Sequence, residues 1–159
     1  SQENVAEMKA VRDRVNIPIA TGERLYTKFP FYELVAADAV DVLQPDIANA
    51  GGITELKKIA AIAEARHVNM APHNTCSPVG TMAECHLDLT MTNFLIQEYH
   101  AEFYTPHYFD AFDGFPRQVD GYLTVPDTPG LGLTINEEVL AQHGYDPTAT
   151  ARAGTSRRI

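Results

Sequence analysis

The sequence contains little cysteine. Cys76 and Cys85 are the only two cysteines in 159 residues, and they form neither a CxxC pair nor part of a ligand set with zinc spacing. This scarcity argues against a disulfide scaffold or a structural zinc module. We therefore expect free thiols in a reducing compartment, the cytoplasm.

Positive charge is also scarce. Lys and Arg together number 12 against 21 Asp and Glu, which gives a net charge of −9 and a pI near 5.0. The one cationic cluster is Arg157 and Arg158, in the tail. No basic stripe is present that could follow a phosphate backbone, so we expect no nucleic-acid partner. A small anionic substrate would need locally placed cations.

Long apolar runs are absent as well. The longest apolar stretches are of strand length, and the first residues, SQENVAEMKAVRDRV, carry charge where a signal peptide would need an apolar core. We expect no membrane partner. Hydrophobic residues still make up 45% of the chain, which is enough for a globular core.

A strand–loop–helix order repeats along the first hundred residues. After an amphipathic helix over 5–15, strand-like segments begin at Ile17, Val40, Val68 and Phe94, about 23 to 28 residues apart. Helical spacing lies between them over 31–37, 54–66 and 82–89, with loops at 49–52 and 74–80 and with Ser77 or Thr81 as the cap of the last helix. This alternation predicts an α/β fold with parallel strands.

Four polar side chains end the four strand-like segments: Glu23, Asp46, His73 and Glu98. Ligands of parallel sheets bind beyond the carboxyl ends of the strands, so these four side chains are the candidates for a site. Four in succession at matching positions would be unusual in a purely structural design, because charged groups are rarely buried without partners.

Asp46 and His73 have the chemistry of a proton-transfer pair. A carboxylate that accepts a hydrogen bond from one imidazole nitrogen fixes the tautomer and leaves the other nitrogen free as a base. The structural alternative is that either residue caps a helix or satisfies a neighbour. Glu23 is a hard oxygen donor suited to Mg²⁺. Glu98 could orient a substrate, or form an ordinary ion pair.

After Tyr99 the periodicity fades into a segment rich in Phe, Tyr, Pro and Gly, with a short helix predicted over 136–142. We expect two parts: 1–100 with the strands and helices, and 101–159 as a C-terminal capping segment and tail. Six side chains of this segment could cover one mouth of the sheet: Tyr104, His107, Tyr108, Phe109, Phe112 and Phe115.

The chain resembles the enolase superfamily, mandelate racemase subgroup, and within it the acid-sugar dehydratases of the galactonate dehydratase type. The resemblance rests on motifs that occur in order over nearly the whole chain: Thr21-Gly22-Glu23-Arg24, Gln44-Pro45-Asp46, Gly51-Gly52, Ala71-Pro72-His73, Gln97-Glu98 and Pro129-Gly-Leu-Gly. It implies the C-terminal half of a (β/α) barrel of the TIM type, followed by the capping segment.

The resemblance also implies residue roles. Glu23 would be a carboxylate ligand of an essential Mg²⁺, Asp46 and His73 the acid/base dyad, and Glu98 a contact to the substrate. Arg24 would be a possible neighbour of the substrate. The implied reaction is dehydration of a sugar acid such as galactonate to a 2-keto-3-deoxy acid, in which His73 either expels the 3-hydroxyl as an acid or removes a proton as a base.

A complete barrel takes about 250 residues, whereas four strands are expected here. The family's other two metal carboxylates belong on strands that would precede these four. We therefore expect either a missing N-terminal half or a homo-oligomer that covers the open sheet edges. Two alternatives to the dehydratase stay open. One is a half-barrel without catalytic competence, and the other is a racemase that uses the same dyad.

Overall fold

The computed structural model describes residues 1, 3–99 and 108–143. Its helices are α1 (Val5–Arg12), α2 (Lys28–Ala36), α3 (Ile47–Ala50), α4 (Ile53–Glu64), α5 (Pro78–Asp88), α6 (Tyr108–Ala111) and α7 (Glu137–Gln142). Its strands are β1 (Ala20–Thr21), β2 (Val42–Leu43), β3 (Asn69–Met70), β4 (Phe112–Asp113) and β5 (Thr134–Ile135).

The central sheet is parallel, as the repeat predicts. Its order is β1-β2-β3, with Ala20 opposite Val42 and Leu43 opposite Met70. The fourth predicted strand continues the sheet through one parallel bridge between Met70 and Phe94. Leu95 N–H donates to the Met70 carbonyl at 2.8 Å. The four segments therefore end at the same edge of the sheet, so their terminal residues lie along that edge.

The main core lies between this sheet and its helices. In α4, Leu56 and Ile59 are fully buried, as expected for the stripe of apolar residues at helical spacing. Helix α2 packs against α4 and contributes Phe31 and Leu34, both fully buried. The helices predicted over 31–37 and 54–66 are thus present as α2 and α4, and their apolar faces form the core next to the sheet.

Helix α1 is attached differently, because none of its residues is buried. Arg12 Nη2 lies 2.9 Å from Oδ1 of Asp41, and Ile19 N–H donates to Oδ2 of the same carboxylate at 2.8 Å. The hydrogen bond from Arg12 lowers the pKa of Asp41 below its usual value. The charge-assisted pair, together with Val5 and Met8, which are partly buried and pack against the core, fixes α1 beside the start of the sheet.

Two local predictions need correction. Residues 47–50 form the one-turn helix α3, where the sequence predicted a loop at 49–52; Asp46 caps this helix. Helix α5 begins at Pro78 rather than near Met82, because a proline at the first helical position loses no hydrogen bond. Ser77 occupies the N-cap position, although its side chain makes no capping hydrogen bond, and Thr81 lies inside the helix.

A second apolar cluster surrounds α6 and the antiparallel pair β4-β5. Phe109 and Phe115 have ring centroids 5.3 Å apart, and Tyr99 lies 6.2 Å from Phe115. The cluster also contains Met82 of α5. The described aromatic residues after Tyr99 thus pack around Met82 and Tyr99, and their covering of one mouth of the sheet stays a prediction. Tyr104 and His107 lie outside the described residues. The division at residue 100 stays a prediction.

Among the described residues, no helix has both the length and the hydropathy that crossing a bilayer requires.

The burial pattern of α4 predicts unequal costs for the same substitution at two positions. Ile59→Ala should lower the free energy of unfolding by about 2 to 5 kcal/mol, because it leaves a cavity in the core. Ile62→Ala, at a partly buried position of the same helix, should cost about 1 kcal/mol. Urea unfolding of the two variants measures both values, and equal losses would contradict the described core.

Candidate active site

Asp46 stands at the end of β2 and at the start of α3. Its backbone is extended, with φ −96° and ψ 130°, and its side chain is buried. Oδ1 accepts hydrogen bonds from the backbone N–H groups of Ala48 at 2.8 Å and Asn49 at 3.0 Å. One oxygen of this carboxylate therefore caps a helix, which leaves the other for a second partner.

That partner is His73. A parallel bridge pairs Asp46 with His73 across the sheet, and Nδ1 of the imidazole lies 3.0 Å from Oδ2 of Asp46. An ionised carboxylate can only accept, so Nδ1 carries the proton and Nε2 is the nitrogen available for proton transfer. The predicted pairing is present, and Asp46 serves both as cap and as partner.

Glu98 lies on the other side of the imidazole. Its Oε2 is 3.9 Å from Nε2 of His73, too far for a direct hydrogen bond, and accepts instead from the backbone N–H of Asn74 at 2.9 Å. The side chain of Glu98 is 40% exposed and that of His73 is 23% exposed. Solvent or a ligand can therefore reach the space between the two groups.

Glu23 follows β1 and lies beside α3, because Asn49 Nδ2 donates to its backbone carbonyl at 3.0 Å. The preceding Gly22 has φ +144°, and a Cβ there would come within 2.7 Å of Phe31. Only glycine lets the chain pass so close to α2 before it reaches Glu23. Arg24, in contrast, is 69% exposed and lies 3.4 Å from Oε1 of Glu3. Its predicted contact with a substrate stays a prediction.

A metal ion would find only part of a site here. In the part of the chain that the structure describes, no group of three or more His, Cys, Asp and Glu side chains could hold a metal. Glu23 suits Mg²⁺ as one oxygen ligand. Such a site would need further oxygen ligands, which Mg²⁺ also takes from water and substrate.

Sequence reasoning missed one buried acid next to this site, Glu84 of α5. It is fully buried, and its Oε1 accepts the backbone N–H of Ile47 at 2.9 Å. Burial, together with the negative charges of Asp46 and Asp88, raises the pKa of Glu84 to about 9. The available signal was a Glu between apolar residues of a helix, but most such side chains face solvent.

The two cysteines are free thiols, as predicted. Cys76 Sγ lies 3.8 Å from both carboxylate oxygens of Asp46. Burial first, and then the charge of Asp46, raise the pKa of Cys76 to about 11, so it stays a thiol at neutral pH. The cytoplasmic location stays a prediction.

The family model described as "Enolase C-terminal domain-like" matches residues 1–139. A D-gluconate/D-galactonate dehydratase of Picrophilus torridus is 40% identical over 132 residues, which cover 83% of this chain and 34% of that protein. A D-galactonate dehydratase of Xanthomonas campestris pv. campestris is 37% identical over 136 residues, covering 82% of this chain and 36% of the relative. This chain thus spans about a third of the length of these relatives.

Solved structures that resemble this chain also belong to enolase-type enzymes. A mandelate racemase/muconate lactonizing enzyme from Jannaschia sp. superposes with a TM-score of 0.85 at 36% identity, covering 92% of this chain and 37% of that one. An enolase from Pantoea ananatis with bound D-gluconate and Mg superposes with a TM-score of 0.81 at 37% identity, covering 89% and 34%. The predicted fold, part of a (β/α) barrel, is confirmed.

The double use of Asp46 makes its two functions separable. Asp46→Asn should retain most of the stability, because Asn caps helices as well as Asp does, whereas Asp46→Ala should lose about 1 kcal/mol from the cap alone. In both variants the carboxylate that holds the proton on Nδ1 of His73 is gone, so the imidazole should shift toward the tautomer with the proton on Nε2. Urea unfolding measures the cap, and the ¹⁵N shifts of the imidazole measure the tautomer. Retention of the Nδ1–H tautomer in Asp46→Ala would contradict the pairing.

Glu84 predicts how stability changes with pH. Its pKa is about 9 in the folded chain and near 4.5 unfolded. Between these values only the unfolded chain releases the proton, so this contribution to stability is complete below pH 4.5 and falls as pH rises through the window. Glu84→Gln should flatten the decline of the free energy of unfolding between about pH 5 and pH 8. Urea unfolding midpoints across this pH range measure the decline, and the substitution Glu33→Gln at an exposed position is the control. An unchanged slope in Glu84→Gln would show that the carboxyl is ionised when folded.

Proposed function

This chain belongs to the enolase C-terminal domain-like family, and on that premise we propose that it supplies the acid/base half of an Mg²⁺-dependent acid-sugar dehydratase. The substrate class is a sugar acid such as an aldonate, and the product a 2-keto-3-deoxy acid. The single observation that carries the proposal is the contact between Asp46 Oδ2 and Nδ1 of His73, 3.0 Å long and placed at adjacent strand ends.

The contact suits His73 to move a proton at Nε2. With Nδ1–H held by Asp46, a proton bound at Nε2 makes the ring an imidazolium beside a carboxylate, which stabilises its charge. His73 can then protonate a departing 3-hydroxyl, or in the reverse sense take a proton from the carbon next to the substrate carboxylate. The first role is the acid step that any dehydratase requires, and D-galactonate dehydratase is the name of one relative.

Glu98 supports the same proposal from the opposite side of the ring. Its Oε2 is held by Asn74 N–H and lies 3.9 Å from Nε2 of His73. A sugar hydroxyl placed between them could donate to Glu98 and receive the proton of His73. Glu98 would thus orient the leaving group in line with the acid.

Mg²⁺, when bound, would polarise the substrate carboxylate and lower the cost of removing the neighbouring proton. Glu23 would supply one of its oxygen ligands. The solved relative from Pantoea ananatis is described with bound D-gluconate and Mg, which agrees with this substrate class and this ion.

Further protein ligands would come from barrel strands outside the described residues. The last strand segment offers a place for them to pack, because Leu95 is 55% exposed and Ile96 63% exposed. A second candidate function, a half-barrel without catalytic competence, is favoured by the lack of a three-residue metal cluster among the described residues. The same observation predicts little activity for this chain alone.

A chimera tests the proposal. Residues 1–139 replace the matching C-terminal third of the Picrophilus torridus dehydratase, and the product is assayed on D-gluconate and D-galactonate with Mg²⁺. We expect release of 2-keto-3-deoxy acid that chelation of Mg²⁺ abolishes. His73→Asn in the chimera should lower kcat by about 10²- to 10⁴-fold, the usual worth of a general acid or base.

His67→Asn is the matched control. His67 is exposed and has φ +58°, a conformation that Asn adopts more readily than most residues, so turnover should not change. A chimera that folds, as judged by circular dichroism, yet shows no turnover would favour the half-barrel without competence. Full turnover in His73→Asn would remove the dyad.

A further inference from the structure

Glu84 joins helix α5 to the strand end that carries Asp46. Its side chain is fully buried, and Oε1 accepts the N–H of Ile47, the residue directly after Asp46. That N–H belongs to the first turn of α3, whose other donors point at Oδ1 of Asp46. Glu84 thus completes the set of acceptors around the turn that orients the Asp46 carboxylate.

Gln97 continues the link to the two other strand ends. Its Nε2 lies 3.1 Å from Oε2 of Glu84, 2.9 Å from the carbonyl of Glu98 and 3.4 Å from the carbonyl of Pro72, the residue before His73. Three oxygen neighbours fix the orientation of this amide. In the described residues, Oε1 of Gln97 is buried and has no hydrogen-bond partner. The orientation of the amide follows from its contacts at Nε2, because all three neighbours are acceptors.

We propose that Glu84 and Gln97 are positioning residues, a bridge between α5 and the last strand segment that sets the spacing of Asp46, His73 and Glu98. The proposal rests on the proposed function, since it assigns the bridge a role in the same acid/base site. Neither residue needs to touch the substrate. The bridge acts through the residues next to the three functional side chains: Ile47, Pro72 and the backbone of Glu98.

The charges around Glu84 are consistent with a structural rather than a proton-donating role. The titratable side chains that interact electrostatically with Glu84 are those of Asp46, Asp88, Cys76 and Cys85. Burial first, and then the charges of Asp46 and Asp88, keep Glu84 protonated near neutral pH. A neutral acid accepts the N–H of Ile47 at Oε1 and, through a lone pair of its hydroxyl oxygen Oε2, the N–H of Gln97, and it adds no further buried negative charge beside the dyad.

The test uses the imidazole ¹⁵N shifts of His73 in the 159-residue chain, a measurement independent of turnover. Glu84→Met and Gln97→Met each remove one half of the bridge at similar volume. Each should move His73 from a single Nδ1–H tautomer toward a mixture of tautomers. The double variant should differ little from either single one, because residues of one network are not additive. Glu84→Gln, which retains an acceptor for Ile47 N–H, should stay closer to the wild type.

Ile59→Ala is the control for general loosening, because it weakens the core away from the bridge and should leave the His73 shifts unchanged. Signals of His67 and His86 serve as references in the same spectra. Wild-type shifts for His73 in a folded Glu84→Met would overturn the proposal, as would an equal change in Ile59→Ala. Gln97→Met decides the matter if Glu84→Met does not fold. A chimera without turnover would count against the proposed function and not against the bridge.

Discussion

The carboxylate of Asp46 is the group on which the rest of the site depends. It is 3% exposed and accepts three N–H donors, two from the first turn of α3 and one from His73. A buried carboxylate is tolerated only when its oxygens are satisfied. The backbone turn at 47–50 therefore does two things: it meets part of that requirement, and it holds the second oxygen where an imidazole can reach it. The hydrogen bonds that make burial of this carboxylate tolerable are therefore the same ones that orient it toward His73.

The short strands explain why this arrangement needs further support. Each named strand of the parallel sheet has two residues, so few ladder hydrogen bonds fix the strand ends. Packing of α2 and α4 on one side of the sheet positions the backbone as a whole. Side-chain hydrogen bonds then fix the positions of the residues at the strand ends. Asn49 does this for Glu23, and we propose the same for Glu84 and Gln97. Preorganised side chains of this kind are what proton transfer requires.

Much of this could be predicted from the sequence, and for identifiable reasons. Apolar stripes such as Leu56 and Ile59 marked the helices, and the regular spacing marked parallel strands, so the ends bearing Asp46 and His73 could be placed side by side. The turn at 47–50 could not be predicted, since its stability comes from the cap at Asp46 and from Glu84, 37 residues away. Long-range acceptors of this kind have no local signature. The predicted substrate contact of Arg24 came from the family resemblance alone. In the structure Arg24 lies near Glu3, which was not among the site residues predicted from the sequence.

The central claim is that His73 is held by Asp46 and faces the substrate with Nε2. A crystal structure of the chimera with a bound aldonate and Mg²⁺ tests it most directly. The account predicts that Nε2 of His73 and a carboxylate oxygen of Glu98 both lie within hydrogen-bond distance of the same sugar hydroxyl, with Nδ1 still on Asp46. A sugar acid bound in the barrel with His73 turned away from it, or with Nε2 rather than Nδ1 on Asp46, would contradict the account.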